Sequence, residues 1–175
     1  MFNDKGVWKV YEGRGRDGKD PVSLEQWQKD EGDGRAIHNV YVRRLADRSV
    51  LTNDALKRMR DRADALHHTH YDFGFSWSDD YVYCSELISK VYEKAGAAAN
   101  ALKKPHSIKD YYEAVPALAQ TIKDQLDYPK AKACRGGKPF NPEEPAISPE
   151  EIYNSSGLVS VNDDSPNDPS PTPAR

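Results

Sequence analysis

The sequence predicts an α+β fold, a small and mostly antiparallel sheet packed on helices. Three observations point there. Segments with the period-two pattern of strands come first, at 6–13 and 38–45. Helical periodicity dominates from residue 52 onward. No internal repeat interrupts that order, and 175 residues suit one domain with a real core.

In order along the chain, GVWKVYEG (6–13) sets Val7, Lys9 and Tyr11 against Trp8, Val10 and Glu12 and reads as a strand. Gly13, Gly15 and Gly18 punctuate a charged loop. Ser23 is an N-cap for the short helix LEQWQKD, with Leu24 and Trp27 on one face. HNVYVRRL (38–45) is rich in β-formers and makes the second strand. Thr52 or Asn53 then caps an amphipathic helix whose Leu51, Ala55, Leu56, Met59, Ala63 and Leu66 recur at helical spacing. A helix opening at Cys84 follows, then PALAQTIKDQL (116–126), with Pro116 in its first turn. The helix SPEEIYN (148–154) and the strand LVSV (158–161) complete a domain spanning 1–161. Residues 162–175 are rich in Pro, Ser and Asp and read as a disordered tail.

Composition excludes several classes. Lys and Arg number 25 against 28 Asp and Glu, giving a net charge of −3, and no basic stripe suits nucleic acid. No apolar run approaches the roughly 18 residues of a membrane span, and the N-terminus lacks a signal-peptide core. Two cysteines make no disulfide framework, and nothing in the sequence supports a Cys84–Cys134 bridge.

Cys84, in DDYVYCSELISKVYEKAG (79–96), is the residue with chemical promise. It shares a helical face with Leu87, Ile88 and Val91, which predicts an inward side chain at a helix start. The free N–H groups and positive dipole end there stabilise a thiolate. Asp79 and Asp80 oppose this if their carboxylates approach the sulfur. The plainer alternative is a packed thiol, since free cysteine is among the most buried residue types.

The run YDFGFSWSDDYVYCSELISKVYEKAG (71–96) resembles the core motif of the YiiX/YebB-like proteins, a permuted papain-like branch of the NlpC-type cysteine peptidases and amidases. VYEGRGRDGKDPVSLEQW, NVYVRRL and AISPEEIYNSSGLVSV extend the resemblance over roughly 6–161. It implies a permuted papain-like fold and cysteine-dependent hydrolysis of amide bonds in peptides or acylated amino acids, without a cofactor or metal. Residue by residue, Cys84 matches the nucleophile and Glu12 the residue that orients the catalytic histidine. Tyr71 and Tyr83 match positions lining the site and binding substrate. Any oxyanion role falls to the Cys84 backbone N–H, with Tyr83 second. The resemblance also favours a periplasmic home.

One departure matters. In such domains the histidine lies on the strand before the glutamate, and no histidine precedes Glu12 here. A chain that begins inside the parent domain is the expected explanation; a catalytically silent binding or scaffold member is the alternative. An incomplete domain would leave the 7–12 strand with an unpaired edge, open to homodimer formation. The other histidines are the candidates for a substitute base. His38 reads as a strand-end residue. His67, His68 and His70 read as helix C-terminal polar groups, with a substitute base or a metal site as further readings. His106 and Cys134 read as loop residues. Trp77, Tyr81 and Tyr83 divide between core and substrate wall. Cys84 and Glu12 are expected to face one cleft with an imidazole-sized gap between them.

Overall fold

The computed structural model describes residues 1–13, 21–32, 42–114, 120, 123–124 and 126–161. Strand β1 (Phe2–Asp4) pairs antiparallel with β2 (Val7–Val10) through a turn in which Lys5 and Gly6 both take positive φ, 51° and 88°. Such two-residue turns match the twist of a hairpin. On its other side β2 pairs with β3 (Val22–Ser23). The edge expected along the 7–12 strand is therefore corrected over Val7–Val10. Residues 2–4, given no role in the sequence reading, fold back and occupy one flank, so the outer strands of this sheet are β1 and β3.

Helix α1 (Leu24–Gly32) starts as expected, the Gln26 amide donating to Ser23 Oγ at 3.1 Å. The strand foreseen at 38–45 is described only as β4 (Arg43–Leu45), which pairs antiparallel with β9 (Leu158–Ser160). Helix α2 (Asn53–His67) is capped by Thr52, whose Oγ1 accepts from Ala55 N. It buries Ala55, Met59, Ala63 and Leu66, at the spacing that predicted it. β5 (His70–Tyr71) and β6 (Tyr81–Val82) form a short parallel pair leading into α3 (Cys84–Glu93). β7 (His106–Ser107) runs into α4 (Ile108–Ala114). β7 also pairs with β8 (Pro145–Ala146), which precedes a five-residue helix, Pro149–Tyr153. That last helix carries a reciprocal cap between Ser148 and Glu151. A helix at Pro129–Cys134 was not foreseen. The helix foreseen at 116–126 falls largely outside the described residues, of which 120, 123, 124 and 126 are helical. The tail at 162–175 and His38 also lie outside them.

The fold is α+β, and the described residues form four small sheets where one was expected, three antiparallel and one parallel. Its core lies between α2 and α3, where Met59, Ala63 and Leu66 meet Val82, Leu87 and Val91. Ile147, Ile152 and Leu158 close it from the C-terminal segment. Among the described residues no helix is long and apolar enough to cross a membrane.

Candidate active site

The start of α3 is held from three sides. Tyr83 lies beneath it, 3% exposed, its hydroxyl accepting from the Ile147 amide at 3.2 Å. Ser85 Oγ donates to the Ile147 carbonyl at 2.7 Å, so the 145–148 segment is strapped to the helix start by two bonds. Glu86, fully buried, accepts from the Tyr83 amide at 3.2 Å. Its other oxygen lies 2.7 Å from Lys90 Nζ, outside hydrogen-bond alignment. Burial pushes the Glu86 carboxyl up to about 7, against the pull of Lys90.

Lys90 is itself 4% exposed. Its ammonium donates to the Ser78 carbonyl and to Asp79 Oδ1 (3.0 Å), and lies 5.2 Å from the Trp77 ring centroid. Arg62 grips Asp79 with two bonds of 2.9 and 2.7 Å. The Arg62 bonds, with Lys90 assisting, outweigh the effect of burial and hold the Asp79 carboxyl down at about 2. Its charge is thus paired with two cations. This network ties the 77–79 loop to α3 from behind.

Cys84 takes the first helical position with its side chain exposed, correcting the inward placement. Ile88, one turn on, is also exposed at 40%, while Leu87 and Val91 are buried. The buried arc of α3 is centred on the charged pair Glu86 and Lys90, which hydrophobicity alone assigns to the surface. Cys84 and Ile88 form the outward stripe.

Tyr71 stands across from this thiol. β5 pairs in parallel with β6, Tyr71 opposite Val82, which sets the Tyr71 side chain within electrostatic reach of Cys84. Partial burial first, then the Cys84 group, push the Tyr71 hydroxyl upward, so it stays a neutral phenol near pH 7. Just beyond, buried Asp72 accepts from the amides of Gly74 and Ser76, each at 2.6 Å, and fixes the turn before β6. Burial raises its carboxyl in spite of those bonds.

On the opposite side, the segment following β2 touches the helix start. A Cβ placed on Gly13 would lie 2.9 Å from Cys84 Cα and 3.0 Å from Cys84 N. Glu12, one residue earlier, accepts from Trp27 Nε1 on α1 at 2.7 Å. The structure thus brings Tyr71 to the Cys84 side chain and the Glu12–Gly13 backbone to its main chain. It places the Tyr83 side chain in the core instead of along a cleft, because that hydroxyl serves the 145–148 strap. Trp77 is partly buried against the core, and Tyr81 is half-exposed.

The other candidates fall elsewhere. His67 packs edge-on against Tyr11 and His68, and His70 lies 6.0 Å from the Tyr81 ring. His106 is no loop residue: it sits in β7 with Nε2 2.6 Å from Glu151 and Nδ1 3.1 Å from Asp110. Cys134 closes the Pro129–Cys134 helix, half-buried, its thiol directed at the Tyr71 carbonyl at 3.8 Å. Two depressions of about 340 and 520 Å³ meet at Tyr81 and Cys134, and the smaller reaches Tyr71 and His70. Sequence reasoning passed over Trp27, Gly13 and Lys90 as site-building residues. The adjacency of Glu12 and Gly13 was the only local signal for any of them.

A family model described as permuted papain-like amidase enzyme, YaeF/YiiX, C92 family, matches residues 3–154. The chain belongs to this family. It is 28% identical over 138 residues to the uncharacterized protein YiiX of Escherichia coli strain K12, across 79% of this chain and 59% of that protein. The chain therefore spans less than two thirds of the length of that curated relative. It is also similar to the crystal structure of the metalloprotein yiiX from Escherichia coli O157:H7, with a TM-score of 0.64 and 25% identity. That likeness covers 91% of this chain and 77% of the other. The family is one of permuted papain-like amidases, which agrees with the fold and with a cysteine peptidase class.

Proposed function

We propose that this chain carries the cysteine side of an amide-hydrolysing centre acting on peptides or acylated amino acids. The observation that carries it is an exposed Cys84 at the first position of α3, with the neutral Tyr71 phenol close enough to interact with it. A thiolate there is favoured by the free N–H groups of the helix start. It attacks the amide carbonyl carbon, and the Cys84 N–H with the Tyr71 hydroxyl donates to the oxygen as charge develops. The C–N bond then breaks, the amine leaves with a proton from an imidazolium, and water cleaves the thioester to release the acid and the thiol. Glu12 has the role of orienting that imidazole. No histidine precedes Glu12 in the sequence, and His106 is engaged by two carboxylates.

The relative described as a metalloprotein raises metal chemistry for this chain. The residues do not fit it: among the described residues no group of three or more His, Cys, Asp and Glu could hold a metal ion. Imidazole added from solution tests the reading. Hydrolysis of an N-acyl amino acid p-nitroanilide should be negligible without imidazole and rise with its concentration in wild type. Cys84→Ala should show no rise. An equal rise in Cys84→Ala would overturn the proposal.

A further inference from the structure

Gly13 is a glycine for reasons of space. Its φ lies outside the left-handed region, so alanine suits its backbone, yet a methyl there meets backbone atoms: Cys84 Cα at 2.9 Å, Cys84 N at 3.0 Å and Tyr83 C at 3.2 Å. None of these is the far end of a flexible side chain, so the two segments would have to part. The close approach keeps the Cα atoms of Glu12 and Cys84 no more than about 8 Å apart. Glu12 is turned by a separate anchor, the indole N–H of Trp27 donating to its carboxylate at 2.7 Å. Trp27 reaches this point because α1 follows β3, and β3 pairs with β2 through Lys9 and Val10.

We propose that Gly13 and Trp27 are positioning residues: the missing side chain at 13 sets the distance from Glu12 to Cys84, and the indole N–H sets the direction of the Glu12 carboxylate. Neither touches the reacting atoms; both act through Glu12. The proposal rests on Cys84 and Glu12 forming one centre.

The test follows alkylation of Cys84 by iodoacetamide between pH 5 and 9, read by peptide mass, with Cys134 in the same molecule as control. Glu12→Gln removes a negative charge near the thiol and should raise the Cys84 rate at pH 7 by about three- to tenfold, moving the pH–rate profile to lower pH. Gly13→Ala should move it the same way by at least about twofold, since the Glu12–Gly13 segment is pushed from the helix start. Trp27→Phe keeps an aromatic side chain while losing the indole N–H with its five-membered ring, so it guards against a Gly13→Ala protein that fails to fold. It should shift the profile alone and add nothing to Glu12→Gln. The Cys134 rate should stay constant throughout. A rate change by one factor at every pH, or a Trp27→Phe effect that adds to Glu12→Gln, would overturn the positioning roles and leave Cys84 chemistry intact. A profile unmoved by Glu12→Gln would instead overturn the pairing of Glu12 with Cys84 on which the inference depends.

Discussion

Replacing Lys90 by methionine keeps most of its length and removes the ammonium among Glu86, Asp79 and the Ser78 carbonyl. Burial raises the Glu86 carboxyl from 4.5 to about 7. A raised carboxyl binds its proton more tightly folded than unfolded. Its contribution therefore favours the fold below about pH 4.5 and declines by about 3 kcal/mol as pH climbs to 7. Lys90 limits that decline through its charge 2.7 Å from the Glu86 carboxylate, so without it Glu86 titrates higher still. At pH 8 the variant must bury an unpaired carboxylate or take up a proton, at a cost of about 3–5 kcal/mol. That corresponds to a Tm loss of about 10 °C for a chain of this size. At pH 5 Glu86 is protonated in either folded protein, and the deficit shrinks to the lost bonds at Ser78 and Asp79, about 1–2 kcal/mol. Urea unfolding followed by circular dichroism at both pH values measures the difference. Equal losses at pH 5 and pH 8, or no loss at pH 8, would refute the buried-pair account.

Gly157→Ala should destabilise by about 2–3 kcal/mol in the same assay, because a Cβ would stand 2.4 Å from Ala101 Cα and 2.6 Å from its carbonyl oxygen. His106→Gln should lower Tm most at acid pH. Partial burial disfavours the His106 charge, yet Glu151 and Asp110 raise its titration above 6.5 overall. Its stabilisation is thus complete below pH 6.5 and is lost as pH rises through the folded value, so melts of variant and wild type should converge by about pH 9. In wild type, iodoacetamide should modify exposed Cys84 well before half-buried Cys134, and Cys84→Ser should leave only the slow phase.

Local signals carried much of the architecture. The Ala55–Met59–Ala63–Leu66 spacing, the Thr52 cap and the short SPEEIYN helix are contained within a few residues, and each reappears in the structure. The resemblance around Cys84 led to the family that the comparison assigns. What failed was non-local. The hairpin partner of β2 comes from residues 2–4, too short a stretch to show a period. Cys84 was turned inward because its helix buries a lysine and a glutamate, an arrangement a hydrophobic pattern cannot display. His106 looked like a loop residue because Glu151, its partner, lies 45 positions away. Trp27 reaches Glu12 only after β2 and β3 pair.

Trapping the acyl intermediate tests the central claim most directly. A p-nitrophenyl ester of an N-acyl amino acid, mixed with the protein and quenched in acid, should leave its acyl mass on the peptide containing Cys84. Cys84→Ala should carry none, and Tyr71→Phe should accumulate less in the same time. Acyl mass on Cys134 in place of Cys84, or equal acylation of the Cys84→Ala protein, would contradict a nucleophilic role for Cys84.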